Sequence, residues 1–306
     1  MKTTVDTDVS ELVALFELDE LAALQFRNRQ HEGNLNGRGH AFGGQLLGQA
    51  LMAASLTVAG RVPTSLQLQF LKGTDIQQPI DYHVTALQDG RRFSNRQVHG
   101  RQGSGPTIEA QISFQTPQAN SWEHSVPAGI CAPPPESLPT FTELNTIHRE
   151  RLAALDYALF ERPCVEFKLI DADQHLFKPN ESPSMNWWIR LRHRLPGDPL
   201  IHAATLAYLS DWWISSTVLT AHMPIVGTRD RVYLASLNHS LWLHGPVVAD
   251  DWLLFMTQSP HAGSGMGLST GNIYDRAGRL VASVAQQSSA MERPAAFPAA
   301  AVPGVR

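Results

Sequence analysis

The stretch His40-Ala41-Phe42-Gly43-Gly44-Gln45-Leu46-Leu47-Gly48-Gln49-Ala50-Leu51 carries the reading of the fold. Two adjacent glycines mark a turn. After them Leu46, Leu47, Ala50, Leu51 and Ala54 recur at i, i+4 and i+8 with further alanines between. Such a segment has almost no polar face, so it predicts a helix over 45–59 that is buried on nearly all sides. The chain beyond it alternates apolar and polar residues over 65–71, 80–88, 94–101 and 107–116, with turn signals such as Asp89-Gly90 between. That pattern predicts antiparallel strands with one face on a core. One helix wrapped by an antiparallel sheet is the simplest assembly. Upstream, 9–24 places Leu12, Leu15, Phe16 and Leu21 near helical spacing and reads as a short docking helix.

The second half repeats this order. Strands are expected over 165–170 and 187–191, a buried helix over 201–209, and further strands over 233–243, 252–259, 269–275 and 279–288. Phe70 with Trp242, Gly73 with Gly245 and Ile108 with Leu280 share one offset of 172 residues, which points to internal duplication. Between the halves, 118–139 is rich in proline and 143–159 has helical character. The expected organisation is an amino-terminal unit over 1–120, a linker over 121–160, a carboxy-terminal unit over 161–293 and a flexible tail over 294–306.

Hydrophobic residues make up 43% of the 306 and charged residues 17%, which is enough apolar content for a sizeable core. A formal charge of -4 provides no basic field, so nucleic acid and anionic lipid are not expected partners. Cys131 and Cys164 stand in no ligand or disulfide spacing, which suits a reduced compartment. Met1 to Glu20 has no basic start followed by an apolar run, and no segment is apolar for the length of a membrane span. A cytoplasmic location is expected. His193, His202, His239 and His244 fall in no metal-ligand spacing. Gly267 to Gly271 spells G-x-S-x-G, but a strand-like Ile273-Tyr274 follows it where a nucleophile elbow would have a helix.

The stretch His40 to Leu51 resembles the acyl-CoA thioesterase II family, the TesB-type double-hotdog thioesterases, whose members carry FGGQ-x-x-GQAL at the first core helix. The resemblance continues through Phe70-Leu71, Leu87 to Ser94, Ser113 to Pro117, Leu234 to His244 and Leu280 to Gln286. It implies an α+β double hotdog: two repeats, each an antiparallel sheet wrapped round a central helix. It also implies hydrolysis of acyl-CoA to a free carboxylic acid and CoA, with no metal, cofactor or covalent intermediate. Double hotdogs often pair through sheet edges, so a homo-oligomer, dimer or tetramer, is expected.

In the family an Asp on the second core helix, a Thr or Ser on the next strand and a Gln on the last strand hold a water against the thioester carbonyl. These positions fall on Asp211, Ser236 and Gln286. Read without the resemblance, Asp211 or Ser210 would cap a helix beginning at Trp212, and Ser236 and Gln286 would be strand residues facing solvent. Gly43 and Gly44 are the expected oxyanion site, since backbone N–H groups at a helix start can meet developing negative charge; the plainer reading is helix-against-sheet packing. Departures from the family pattern are Gln67 and Gln69, where relatives have a histidine and an aromatic residue, Lys72-Gly73-Thr74 in place of Arg-Pro-Gly, Met266 in place of Arg, and Asn238 in place of Asp. They bear on the acyl tunnel and on CoA phosphate recognition. Two alternatives stand beside hydrolysis: an acyl-CoA or acyl-carrier binding protein with little turnover, and a hydratase, for which no acid and histidine pair is evident near Asp211.

Overall fold

A computed structural model describes residues 9–29, 40–103, 105–118, 122–129, 132–155, 159 and 164–293. Cys131 and the expected tail lie outside them. In chain order the elements are α1 (Val9–Phe16), β1 (Leu18–Ala22), β2 (Gln25–Asn28), α2 (Gly43–Ser55), β3 (Val62–Phe70), β4 (Asp81–Asp89), β5 (Phe93–Gln102) and β6 (Gly105–Gln115). There follow α3 (Phe141–Ile147), α4 (Arg149–Ala154), β7 (Val165–Leu169), α5 (Ala172–Phe177), β8 (Ser184–Leu191), α6 (Pro199–Ser210), α7 (Thr228–Arg231), β9 (Val232–Leu243), β10 (Leu253–Gly263), β11 (Met266–Asp275) and β12 (Leu280–Glu292). The twelve strands form one antiparallel sheet in the order β1-β2-β4-β5-β6-β3-β9-β12-β11-β10-β8-β7. This is the double hotdog: β3 and β9, one from each half, pair at its centre through Leu66↔Leu241, Gln67↔Ser240 and Leu68↔His239.

The helices α2 and α6 lie inside the curve of the sheet and against each other. Gly44 and Gly48 of α2 make that approach possible: a Cβ at Gly44 would lie 2.2 Å from the carbonyl oxygen of Tyr208, and one at Gly48 3.1 Å from that of Ala204. The plainer reading of Gly44 is therefore helix against helix, not helix against sheet. Leu47, Leu51, Leu206 and Leu209 are fully buried around the contact, each stabilising by about 2 kcal/mol. Gln49, buried in the same helix, donates to the Leu15 carbonyl at 2.6 Å and accepts from the Tyr82 hydroxyl at 2.7 Å, tying α1 and β4 to the core.

Two expectations are corrected. The docking helix stops at Phe16, and Leu18–Ala22 pairs with β2 as an edge strand; helical spacing runs on past Phe16, but pairing with β2 prevails, and Asp19 and Glu17 pair with Arg29 across that hairpin. The repeat offset of 172 is also replaced, by 173 between β3 and β9 and by 174 between β6 and β12. In the β3–β6 ladder the skipped residue is Thr64, and in the β9–β12 ladder it is Leu237, 173 residues on. The pairs Leu66↔Ile112 and His239↔Gln286 then correspond. An offset of 172 would equate Phe70, which faces the core side, with Trp242, which is 41% exposed on the outer face. A one-residue slip reverses every side chain of a strand.

Candidate active site

Asp211 is the residue on which α6 ends, with right-handed backbone angles of φ −84° and ψ −7°. No helix begins at Trp212. The chain turns through Trp213 at φ +59° into a 3-10 helix over Ile214–Leu219, and no side chain caps it, so the capping reading of Asp211 and Ser210 falls. The left-handed Trp213 is costly for a bulky residue. It is held by Phe141 and Phe167, each with ring centroids 5.2 Å away, and the turn it makes carries Ser215 back toward the carboxylate.

The Asp211 carboxylate is buried against the start of α2. Burial pushes its pKa up to about 7, while the Gln286 amide and the Gly44 N–H facing it pull the other way. Its Oδ1 is buried without a hydrogen-bond partner among the described residues. A carboxamide has two N–H hydrogens, and the Gln286 Nε2 donates to Ser215 Oγ at 2.6 Å and to Ser236 Oγ at 2.8 Å.

Gln286 faces inward because the alternation of β12 puts 282, 284, 286 and 288 on the core side. Opposite it on β9 is His239, wholly buried, with Nδ1 hydrogen-bonded to Gln286 Oε1. The other ring nitrogen is 2.8 Å from Ser210 Oγ. Burial pushes this imidazole down to about 4, so it is neutral. Ser288 donates to Ser215 Oγ at 3.2 Å behind the group. From the sequence His239 was considered only as a metal ligand and Ser210 only as a helix cap, and Ser215 and Ser288 were not singled out. Alternation along β9 and β12 placed His239 and Ser288 on a face, but pairing across the ladder was needed to see them meet Gln286.

A cleft of about 770 Å³ opens beside this cluster, between the two halves. Gly43 and Phe70 line it from the amino-terminal half; Asp211, Ser215 and Ser236 line it from the other. The two candidate oxyanion glycines separate. Gly43, in the first turn of α2 where N–H groups have no intrahelical partner, is at the cleft; Gly44 is not, and its N–H is directed at Asp211. Gln67 and Gln69 sit on the outer face of β3 opposite Ser240 and Asn238, and neither they nor Met266 line the cleft. The G-x-S-x-G run lies inside β11, with no helix after it.

Among the described residues the amino-terminal half has no counterpart to this polar group. Leu56 follows α2 where Asp211 follows α6, and the corrected register puts Pro63, Leu66, Ile112 and Phe114 at the places of Ser236, His239, Gln286 and Ser288.

Residues 31–115 match the family model of the acyl-CoA thioesterase N-terminal domain, and residues 142–290 that of the acyl-CoA thioesterase C-terminal domain. Over 258 residues the chain is 32% identical to acyl-coenzyme A thioesterase 8 of Mus musculus, an alignment covering 80% of this chain and 78% of that one. The crystal structure of acyl-CoA thioesterase II TesB2 from Mycobacterium marinum superposes with a TM-score of 0.74 at 29% identity, covering 93% of this chain and 98% of the other. A hot dog fold protein of unknown function from Alicyclobacillus acidocaldarius gives 0.73 at 17% identity, covering 96% and 100%, a likeness of fold alone.

Proposed function

This chain belongs to the acyl-CoA thioesterase II family and hydrolyses acyl-CoA thioesters; from that premise we propose that Asp211, Ser236 and Gln286 hold and activate the attacking water. The observation that carries the proposal is the orphaned Oδ1 of Asp211, a buried acceptor beside a cleft. A water bridging it to the Ser236 hydroxyl would supply the missing hydrogen bond. As the water oxygen attacks the thioester carbonyl carbon, Asp211 takes its proton, and a pKa near 7 suits that exchange. The carbonyl oxygen becomes negative and is met by the Gly43 N–H at the positive end of α2. The C–S bond then breaks, and the departing CoA thiolate takes the proton back from Asp211. Ser236 orients the water, and Gln286 holds the hydroxyl and carboxylate in relation to one another.

The test is thiol release from a panel of acyl-CoAs by the wild type and by Asp211→Asn. A fall in kcat of about 10²–10⁴-fold is expected, the usual worth of a general base; equal rates for the two proteins would remove Asp211 from the mechanism. Binding without thiol release by the wild type would favour the alternative of an acyl-CoA or acyl-carrier binding protein. A hydratase is less well supported, because His239 is buried behind Gln286 and does not line the cleft.

Three further readings belong to the same proposal. The chain acts as a homo-oligomer, a dimer or tetramer, pairing through an outer strand such as β1, whose ladder has one unpaired edge; light scattering reads the mass. Its location is cytoplasmic, in keeping with the finding that no helix among the described residues is long and apolar enough to cross a membrane. The two repeats end and begin as the sequence suggests, on either side of a linker over 121–160, and limited proteolysis with mass analysis of the fragments would place the cuts within that linker.

A further inference from the structure

His239 takes no part in the scheme above, yet its ring touches two of the elements that carry it. It stands on β9 three residues beyond Ser236, meets Gln286 of β12 through Nδ1, and meets through Nε2 the hydroxyl of Ser210, the residue directly before Asp211. A carboxamide has nearly the same shape when rotated by half a turn. Rotation would exchange the Gln286 oxygen and nitrogen and set a carbonyl oxygen against Asp211 and both serines. Packing cannot forbid that exchange, but a fixed donor at Oε1 can. The neutral ring has one N–H and one acceptor nitrogen. The Ser210 hydroxyl has one hydrogen and two acceptors at 2.8 Å, Nε2 and the Ala207 carbonyl. The Asp211 carboxylate accepts only, so the Gln286 NH2 belongs on its side. The tautomer that matches this has Nε2 accepting from Ser210 and the ring hydrogen on Nδ1, where it selects the Gln286 oxygen.

The chain contains its own control. At the corresponding places in the amino-terminal half, Leu56, Leu66 and Ile112 replace Asp211, His239 and Gln286 together. Both halves need a packed sheet at this point, and only the one with the carboxylate has the imidazole. We infer that His239 is a positioning residue for hydrolysis, locking the Gln286 amide so that its NH2 faces Ser236 and Asp211. The inference rests on the proposed water activation.

The experiment is a double-mutant cycle in the full-length protein, using the acyl-CoA that the wild type turns over fastest. His239→Leu keeps the bulk and removes the donor; His239→Asn keeps a donor near the place of Nδ1. His239→Leu is expected to lower kcat about tenfold or more with KM within about twofold, the pattern of a lost positioning contact. The acid limb of the rate profile should move to higher pH, since the amide no longer favours the Asp211 anion. His239→Asn should recover most of kcat. In a Gln286→Ala background His239→Leu should cost nothing further, because the ring acts through that amide.

An equal cost of His239→Leu with and without Gln286, or an Asn variant no better than Leu, would overturn the inference. Should the Leu variant fail to fold, Asn against Gln decides, since a Gln amide extends toward Ser210 and away from Gln286; equal rates for these two would likewise overturn it. The cycle is separate from the base assignment. Full activity in Asp211→Asn would sink water activation by that carboxylate, while coupling between 239 and 286 is read whichever group takes the proton.

Discussion

Gly43 and Asp211 come from opposite halves of the chain and meet at van der Waals distance: a Cβ built on Gly43 would fall 2.5 Å from Oδ2 and 3.2 Å from Cγ of Asp211. The absent side chain is what allows the carboxylate to stand at the start of α2. In Gly43→Ala the methyl group would displace the end of a short side chain and leave the backbone in place. Thiol release should fall by about 10²-fold, the cost of moving a reacting group by about 1 Å, while the melting temperature changes little because alanine suits a helix. Unaltered kcat would show that the carboxylate position is not critical.

Gly44→Ala should behave in the opposite way. Its Cβ would lie 2.2 Å from the Tyr208 carbonyl oxygen and 3.0 Å from the carbonyl carbon, both backbone atoms of α6. The helices must separate, with a loss of about 1–3 kcal/mol as in other overpacked cores. Denaturant unfolding measures it, and a midpoint equal to that of the wild type would mean the helices yield freely.

The raised pKa of Asp211 fixes the sign of two pH effects. As a base it acts when ionised, so kcat/KM should rise with pH through about 7 and then level off. Stability runs the other way. Because the folded value lies above the ordinary 3.8, the folded state holds its proton more tightly; the contribution is complete below pH 3.8 and lost as pH rises through 7. Asp211→Asn, which never ionises, should therefore be more stable than the wild type at pH 8 by on the order of 4 kcal/mol, at about 1.4 kcal/mol per tenfold change in proton affinity. At pH 4 the difference should nearly vanish. A stability gap independent of pH would contradict the burial of an ionised carboxylate.

Ser215 and Ser236 share the Gln286 amide and stand 3.5 Å apart at the cleft. Either hydroxyl can serve a water beside Asp211. Ser236→Ala alone should cost less than about tenfold in kcat, whereas the double change with Ser215→Ala should cost about 10²-fold or more. Thiol release by the two single variants and the double variant separates sharing from independence; strict additivity in log kcat would argue against a shared role.

The core helix was legible because Leu46, Leu47, Ala50 and Leu51 leave it no polar face, and the strands because β-period alternation survives in most of them. Leu18–Ala22 was not legible: its helical spacing continued that of α1, and only pairing with β2 made it a strand. Asp211, Ser236 and Gln286 were named through resemblance, since each alone reads as an ordinary cap or surface residue. Alternation along β3 already set Gln67 and Gln69 on the face opposite Leu66 and Leu68; it was the resemblance that tied them to the acyl tunnel.

By itself the sequence determined the two core helices, most of the strands, their repetition and the family, all of which depend on periodicity and on short runs of residues. The tertiary structure decided the register of the repeat, the separate surroundings of Gly43 and Gly44, and the meeting of His239 and Ser215 with Gln286. Those contacts join residues 47 and 71 positions apart in the chain. Such contacts require every intervening strand to sit in one ladder register, and a shift of one residue turns each side chain to the opposite face.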